Sequence, residues 1–404
     1  MPAADPRIDF LIALGRTLHE NGIPAHRLED TLGVAAERLG LRAEFFSTPT
    51  SLISAFGEPG SQQTALSRVT PGEFRLDRIV ALDDVVEDLW SGAITVEQAQ
   101  ERLGEVARRP SPYGPVLTVA ALAAASGGAA RFFGAGLAEV CASAVLGLVV
   151  GGLGVAAQRS VTVGRVYEFA AAMTATLLAV AAGALWPALA LAPVVVSSII
   201  VLLPGLTLTL ALNELATGHL VSGTARLTGS LMTLLKLGLG VGIGQQLATL
   251  VPALAARADV QPEPLADWTL APALLLTVPA LAILFRARRR EWPWILAGVV
   301  TAFGGARLGV HLLGPALGAL LGALLAGLAG NAFERRRRRP AVVMVVPSLI
   351  MLVPGSIGYR SLSFLMQRDV VGGIDSAVTA LLVGVSLVAG LLLANVLVPP
   401  RNPL

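Results

Sequence analysis

Polar and apolar positions alternate in two distinct ways along this chain. Up to about residue 110 apolar residues recur at helical or strand spacing among charged ones. From Tyr113 onward they merge into blocks of about 20, the length a helix needs to cross a bilayer. In the first part the pattern predicts helices over residues 8–20 and 26–39, closed by Asn21-Gly22 and by Gly40. Residues 42–56 and 64–69 are rich in Phe, Thr, Ile and Val and read as strands. Helices follow over 76–90 and 95–108, the second opened by Thr95 with Gln98 three positions on, the spacing of a capping box. A soluble α+β domain over residues 1–110 is expected. The opening residues 1–6 have neither a basic stretch nor an apolar core, so no signal peptide is expected.

The second part divides into ten expected spans: 113–133, 137–157, 166–185, 189–216, 227–250, 270–285, 294–310, 314–332, 341–365 and 377–398. Composition agrees, because 54% hydrophobic and 14% charged residues, with a mean hydropathy of +0.71, describe an integral membrane protein. Arginine placement orients the spans. With the N-terminus cytoplasmic, Arg159 and Arg165, Arg286 with Arg288 to Arg290, and the run Arg335 to Arg339 all fall inside. The uncharged Trp186-Pro187-Ala188 and the acidic connection carrying Asp259, Glu263 and Asp267 fall outside. Ten spans then leave both termini in the cytoplasm.

The stretch from Ser198 to Gly205 returns as Ser348 to Gly355, an offset of 348 − 198 = 150. The same offset pairs Gly154 with Gly304, Gly164 with Gly314, Gly223 with Gly373, Leu231 with Leu381 and Gly240 with Gly390. This is an internal duplication, with repeats over 113–250 and 264–398. Five spans per repeat is an odd number, so the second repeat crosses the bilayer upside down relative to the first. The expected fold is mainly α: about ten transmembrane helices in two inverted five-helix repeats, plus the N-terminal domain. Pro204-Gly205 and Pro354-Gly355 interrupt corresponding spans, the pattern of the discontinuous helices that hold substrate in secondary transporters. A structural kink is the other reading.

If the breaks form a site, freed backbone groups of Pro204, Gly205, Pro354 and Gly355 would meet a substrate carboxylate and ammonium. Ser198, Ser348 and Ser356 stand close by in sequence. Lys236, the chain's one lysine, sits deep in the fifth span and is a substrate-site or coupling candidate, or else a structurally paired charge. Glu139, Glu168 and Asp375, near span ends, are proton-coupling candidates or interfacial carboxylates. Arg360 reads as a snorkelling side chain. Glycines 238, 240, 242 and 244 lie inside an apolar span without a preceding strand, which favours helix packing over phosphate binding. The Arg335 to Arg339 run reads as a topology anchor that also meets anionic lipid. His19 and His26 have no metal-ligand spacing and read as surface residues; no metal, cofactor or nucleic-acid partner is expected. Cys141 reads as a small core residue, and a single cysteine forms no intramolecular disulfide.

Leu203-Pro204-Gly205, followed by the run 213–227 that opens Asn213-Glu214-Leu215 and closes Thr224-Ala225-Arg226-Leu227, resembles the signature of the threonine/serine exporter family. Residues 14–22 and Arg68-Val69 are similar to that family's cytoplasmic domain. The resemblance covers nearly the whole chain. It implies a bacterial inner-membrane exporter of small hydroxy amino acids with ten transmembrane helices, driven by the proton gradient, and Asn213 joins the substrate-binding candidates. The sequence departs from the family pattern at Glu214-Leu215, where an apolar residue followed shortly by an acidic one is usual, so no acidic role passes to Glu214. Export of another small metabolite such as a dicarboxylate remains open, as does a membrane-anchored enzyme or sensor acting through the soluble domain. Partners implied are the metabolite, protons and membrane lipid, and a homo-oligomer is compatible with the chain.

Overall fold

The computed structural model describes residues 5–58, 60–251, 260–353, 355–366 and 368–401. Its N-terminal unit contains α1 (Pro6–Glu20), α2 (Ala25–Arg38), strands β1 (Ala43–Thr48), β2 (Ser51–Phe56) and β3 (Gln63–Arg68), then α3 (Leu76–Trp90) and α4 (Val96–Arg108). The strands form one antiparallel sheet in the order β1-β2-β3, with Phe45 opposite Ser54 and Ile53 opposite Leu66. Alternation along β2 turns Leu52 and Phe56 onto Phe10, Leu14, Leu28, Leu32, Leu76 and Ile79, all buried. Gly15 is required there: a Cβ on it would lie 2.6 Å from Leu52 and 2.8 Å from Leu32. The Thr95–Gln98 capping box forms as its spacing predicts. His19 corrects the reading as a surface residue. It is 2% exposed, its Nε2 2.8 Å from the Thr48 carbonyl, because the end of α1 is covered by the sheet.

The remainder is helical: α5 (Pro115–Phe132), α6 (Leu137–Ala157), α7 (Val161–Leu185), α8 (Leu191–Ser198), α9 (Gly205–Ala216), α10 (Leu220–Thr249), α11 (Leu270–Leu284), α12 (Trp292–Leu313), α13 (Pro315–Arg337), α14 (Val342–Ile350), α15 (Gly355–Met366) and α16 (Val370–Leu397). Among the described residues nine helices are long and apolar enough to cross a membrane, or up to ten if the pair bent by 52° between Ser198 and Ile200 is one span. Hydropathy places the starts of α7, α10 and α16 too late. Leu220–Thr249 runs unbroken from just after Gly218, whose φ of +87° makes the turn, and so carries Ser222, Thr224 and Arg226 on the same helix. An apolar window sees only the lipid-depth part of such a helix.

The offset of 150 extends to the elements: α9 and α15 start at 205 and 355, and α10 and α16 at 220 and 370. It extends to packing as well. A Cβ on Gly240 in α10 would lie 2.4 Å from the Phe169 carbonyl of α7, and one on Gly390 in α16 would lie 2.4 Å from the Leu320 carbonyl of α13. Close packing through small residues is therefore the use of these glycines.

Contacts sort the helix ends. The Leu76 amide donates to the Phe285 carbonyl (3.0 Å), Arg288 to the Asp77 carbonyl (3.4 Å), and Arg339 meets Asp84 at 2.7 Å. Arg338 lies 3.8 Å from Glu87, and the Tyr113 hydroxyl donates to the Ala287 carbonyl. The start of α5 and the ends of α11 and α13 thus gather at the N-terminal unit. The arginine run reaches α3 through Arg338 and Arg339, with Arg337 stacked 4.8 Å over Trp294 and Arg335 donating to the Pro399 carbonyl. At the far end of α5, Arg131 donates to Thr269 Oγ1 (2.6 Å) and to the Leu265 and Ala266 carbonyls.

These contacts predict an accessibility pattern. In a Cys141→Ala background, single cysteines at exposed Arg289 and Arg336 should react with an impermeant maleimide from the same side of the membrane, and a cysteine at Asp267 from the other. Labelling of Arg289→Cys and Arg336→Cys from opposite sides would refute the arrangement.

Candidate functional site

The first apolar span that the sequence interrupts does break. Helix α8 ends at Ser198, one 3-10 turn covers Ile200–Leu202, and α9 begins at Gly205. Pro204 has no amide to donate, so the ladder cannot pass through it. The Gly205 amide instead bonds the Leu203 carbonyl, and Leu208 restarts the helical pattern on the Pro204 carbonyl, both at 2.8 Å. Amides of Leu206 and Thr207, in the first turn of α9, have no intrahelical acceptor. The second span is interrupted at the matching place, between Ile350 of α14 and Gly355 of α15. Pro354 itself lies outside the described residues.

The two breaks meet. A Cβ on Gly205 would lie 2.6 Å from Val353 Cγ2 and 3.1 Å from the Gly355 nitrogen, and one on Gly355 would lie 3.0 Å from the Gly205 Cα. Backbone touches backbone here because neither residue has a side chain. The candidate serines around this crossing are partnered locally: Ser198 Oγ donates to the Val195 carbonyl (2.8 Å) and Ser348 Oγ to the Met344 carbonyl (2.6 Å). Ser126 Oγ reaches the Ser198 carbonyl at 3.5 Å. Ser197, fully buried, has a hydroxyl without a partner, and is the unsatisfied polar group beside the break. Ser356 is half-buried in the first turn of α15.

Other candidates sit elsewhere. On α10, Leu234 and Leu237 pack with Ile199 and Tyr359 near the crossing, while Lys236 turns toward α7 with Nζ 3.8 Å from Glu168 Oε2. That carboxylate oxygen is buried and makes no hydrogen bond. Glu139 is buried, its Oε1 accepting the Ala190 amide at 3.0 Å just ahead of α8. Asp375 is exposed near the start of α16.

Asn213 lies at the opposite end of α9 from the break, in a polar clasp that sequence reading missed. Glu214, fully buried, accepts from the Ala25 amide (2.9 Å), Ser222 Oγ (2.9 Å) and Arg226 Nε (3.0 Å). Its negative charge thereby sits at the N-terminus of α2, where the helix dipole favours it. Beside it Asn213 Nδ2 is 3.3 Å from His26 Nε2, His219 Nε2 is 3.4 Å from Glu29, and the two imidazoles lie 6.0 Å apart. Burial, with Arg27, His219 and Arg226 nearby, pushes His26 down to about 3, so its ring is neutral in the clasp. Both Glu214 and Arg226 belong to the run 213–227, which was the available signal. Pairing them with α2, nearly 190 residues upstream, needed the fold.

Two family models match the chain. A family model described as "Putative threonine/serine exporter" matches residues 9–248, and one described as "Threonine/Serine exporter, ThrE" matches residues 267–397. The chain is 26% identical over 370 residues to "Pheromone-regulated membrane protein 10" of Yarrowia lipolytica, covering 86% of this chain and 30% of that protein. It is 26% identical to the "Threonine/serine exporter" of Corynebacterium glutamicum, covering 81% of this chain and 69% of that one. With the "Probable threonine/serine exporter" of Mycobacterium tuberculosis it shares 28% identity, over 86% and 68% of the two chains. It spans between 30% and 48% of the fungal relatives in the first three matches. No solved structure matches it.

Two outcomes are expected at the clasp. Glu214→Ala leaves Arg226 buried without its partner and should cost about 3–5 kcal/mol, read as faster amide exchange over the first turn of α2. Because the His26 value lies below the ordinary 6.5, the stability of the neutral form is present above about pH 6.5 and is lost as pH falls toward 3. Amide protection at the start of α2 should therefore decline on acidification below pH 6.5 in the wild type and decline less in His26→Gln. Protection unchanged in Glu214→Ala would show that the clasp does not hold α2.

Proposed function

The chain belongs to the threonine/serine exporter family, and from that premise we propose that it exports small hydroxy amino acids, threonine and serine, from the cytoplasm by secondary active transport. The family is one of transporters rather than enzymes. The observation that carries the mechanism is the apposition of Gly205 and Gly355, which brings two interrupted spans into one crossing inside the helical bundle. First-turn amides of α9 offer positive dipole ends to a carboxylate, and carbonyls released at the breaks offer acceptors to an ammonium and a hydroxyl. Ser197, Ser198, Ser348 and Ser356 supply further polar groups around it.

In this reading residues 113–250 and 264–398 are two inverted five-helix repeats that rock about the crossing, exposing it to each side in turn. Inversion is supported by Arg131 joining the far end of α5 to the turn before α11, while the start of α5 and the end of α11 share the N-terminal unit. Residues 1–110 form the cytoplasmic domain of a bacterial inner-membrane protein, with both chain termini on the cytoplasmic side. Protons are the coupling ion, and the Glu168–Lys236 pair between α7 and α10 is their site: a proton taken up by the carboxylate removes its charge and releases the ammonium 3.8 Å away. Glu139 positions the start of α8, and Asp375 serves as an interfacial acid. A dicarboxylate cargo is the second reading, and a substrate panel separates the two.

The decisive variants act on the breaks. Pro204→Ala alone restores a backbone donor without placing a Cβ against Val353; threonine efflux from proteoliposomes under an imposed pH gradient should fall roughly tenfold or more at equal insertion. Replacing Pro354 in the same way should do likewise. Lys236→Met should abolish the pH-gradient dependence of transport. Wild-type efflux by both proline variants would mean that the breaks are kinks and the site lies elsewhere.

A further inference from the structure

A cleft of about 220 Å³ opens between α2 and α3 of the N-terminal unit, away from the crossing. Its volume suits a metabolite smaller than the drug-sized ligands that fill roughly 300–1,000 Å³. On the α3 wall Asp83, Glu87 and Trp90 follow at helical spacing, so they line one face over about 10 Å. From α2 the guanidinium of Arg38 lies 5.3 Å over the Trp90 ring, and Arg401, beyond α16, lines the same cleft. Asp83 is 6% exposed and lines the cleft. A buried carboxyl that lines a cleft together with Glu87 and two guanidinium groups makes a site with both signs of charge.

We propose that the cleft between α2 and α3 binds a free α-amino acid, its carboxylate on Arg38 and Arg401, its ammonium on Asp83 and Glu87, and its side chain against Trp90 and Val34. The two walls are tied to different halves of the transmembrane region. The N-terminus of α2 is held by Glu214 at the end of α9, the helix that leaves the first break. Helix α3 is held through Asp84 and Glu87 to Arg339 and Arg338, which lead into α14, the helix that approaches the second. A ligand drawing α2 and α3 together therefore acts on both breaks at once. The cleft thus reports the cytoplasmic amino-acid level to the transport site, a regulatory role that rests on the export reading; amino-acid binding itself does not.

Binding has a proton signature. Burial, reinforced by the Asp84, Glu87 and Glu334 carboxylates and opposed by Arg339, pushes Asp83 up to about 7. Arg38 and Arg401 are the other charges along the cleft. An ammonium arriving beside Asp83 favours its ionised form, so at pH 7 binding should release up to about half a proton.

The test uses the full chain in nanodiscs with L-threonine and L-serine as probes. Hydrogen exchange should slow along the facing surfaces of α2 and α3 at millimolar probe, and calorimetry in buffers of different ionisation enthalpy should show the proton release. Asp83→Asn should abolish that release and weaken this binding at least tenfold; Arg38→Gln, at an exposed position that leaves the core untouched, should weaken it likewise. Pro204→Ala should leave the protection at α2 and α3 intact even where it stops efflux, which separates failure of this site from failure of the export reading. Absence of protection at α2 and α3 with both probes, or protection and stoichiometry unchanged in Asp83→Asn and Arg38→Gln, would overturn the proposal.

Discussion

Two helical backbones approach most closely where neither carries a side chain, and in this protein such a contact falls at Gly205 and Gly355. Much of the architecture follows from the requirement. Each glycine stands at the start of a short helix, α9 or α15, whose preceding partner has ended several residues earlier, so the crossing joins four half-helices rather than two continuous ones. A Cβ at Gly205 would press on Val353 at 2.6 Å, and no rotamer change relieves contact with the Gly355 nitrogen at 3.1 Å. The flanking helices obey the same rule at a distance. Gly240 and Gly390 let α10 and α16 close onto α7 and α13, which brings the long helices near enough to enclose the crossing. In an apolar medium helices gain little from hydrophobic association, so close packing of this kind carries much of the cohesion.

Sequence patterns revealed more of the fold than of the site, and the reason is physical. Hydropathy reports burial in lipid, so it located the spans, and helical spacing located α3; β-favouring composition marked residues 42–56 as strand without showing that the chain turns there into β1 and β2. The offset of 150 was visible in glycines and prolines because those residues have few substitutes where backbones meet or ladders stop. It led to the breaks, yet could not say that they touch. What escaped was pairing across long separations. Glu214 read as a departure from an expected motif, and the structure finds it fully buried on α2 and Arg226. His19 and His26 carried no ligand spacing, and burial rather than ligation explains both. Lys236 was legible as a charge in a span, but its partner Glu168 lies on another helix, and one-dimensional spacing does not show which face a lysine takes.

The N-terminal unit is coupled to the breaks by charge. At one corner the Glu214 clasp fixes α2 to the end of α9, and at another the arginine run after α13 fixes α3 to the start of α14. These contacts differ in kind. Glu214 with Arg226 is buried and brittle, since removing one partner strands the other, whereas Arg338 with Glu87 is exposed and contributes little on its own.

The central claim is that substrate sits where the two breaks meet. An experimental structure of the full chain in nanodiscs with saturating threonine tests it most directly. Density for the amino acid is expected against the first turn of α9 and the Val353–Gly355 segment, with the helix still interrupted after Ser198. Continuous helix through residues 198–216, with threonine density lying away from Gly205 and Gly355, would contradict it.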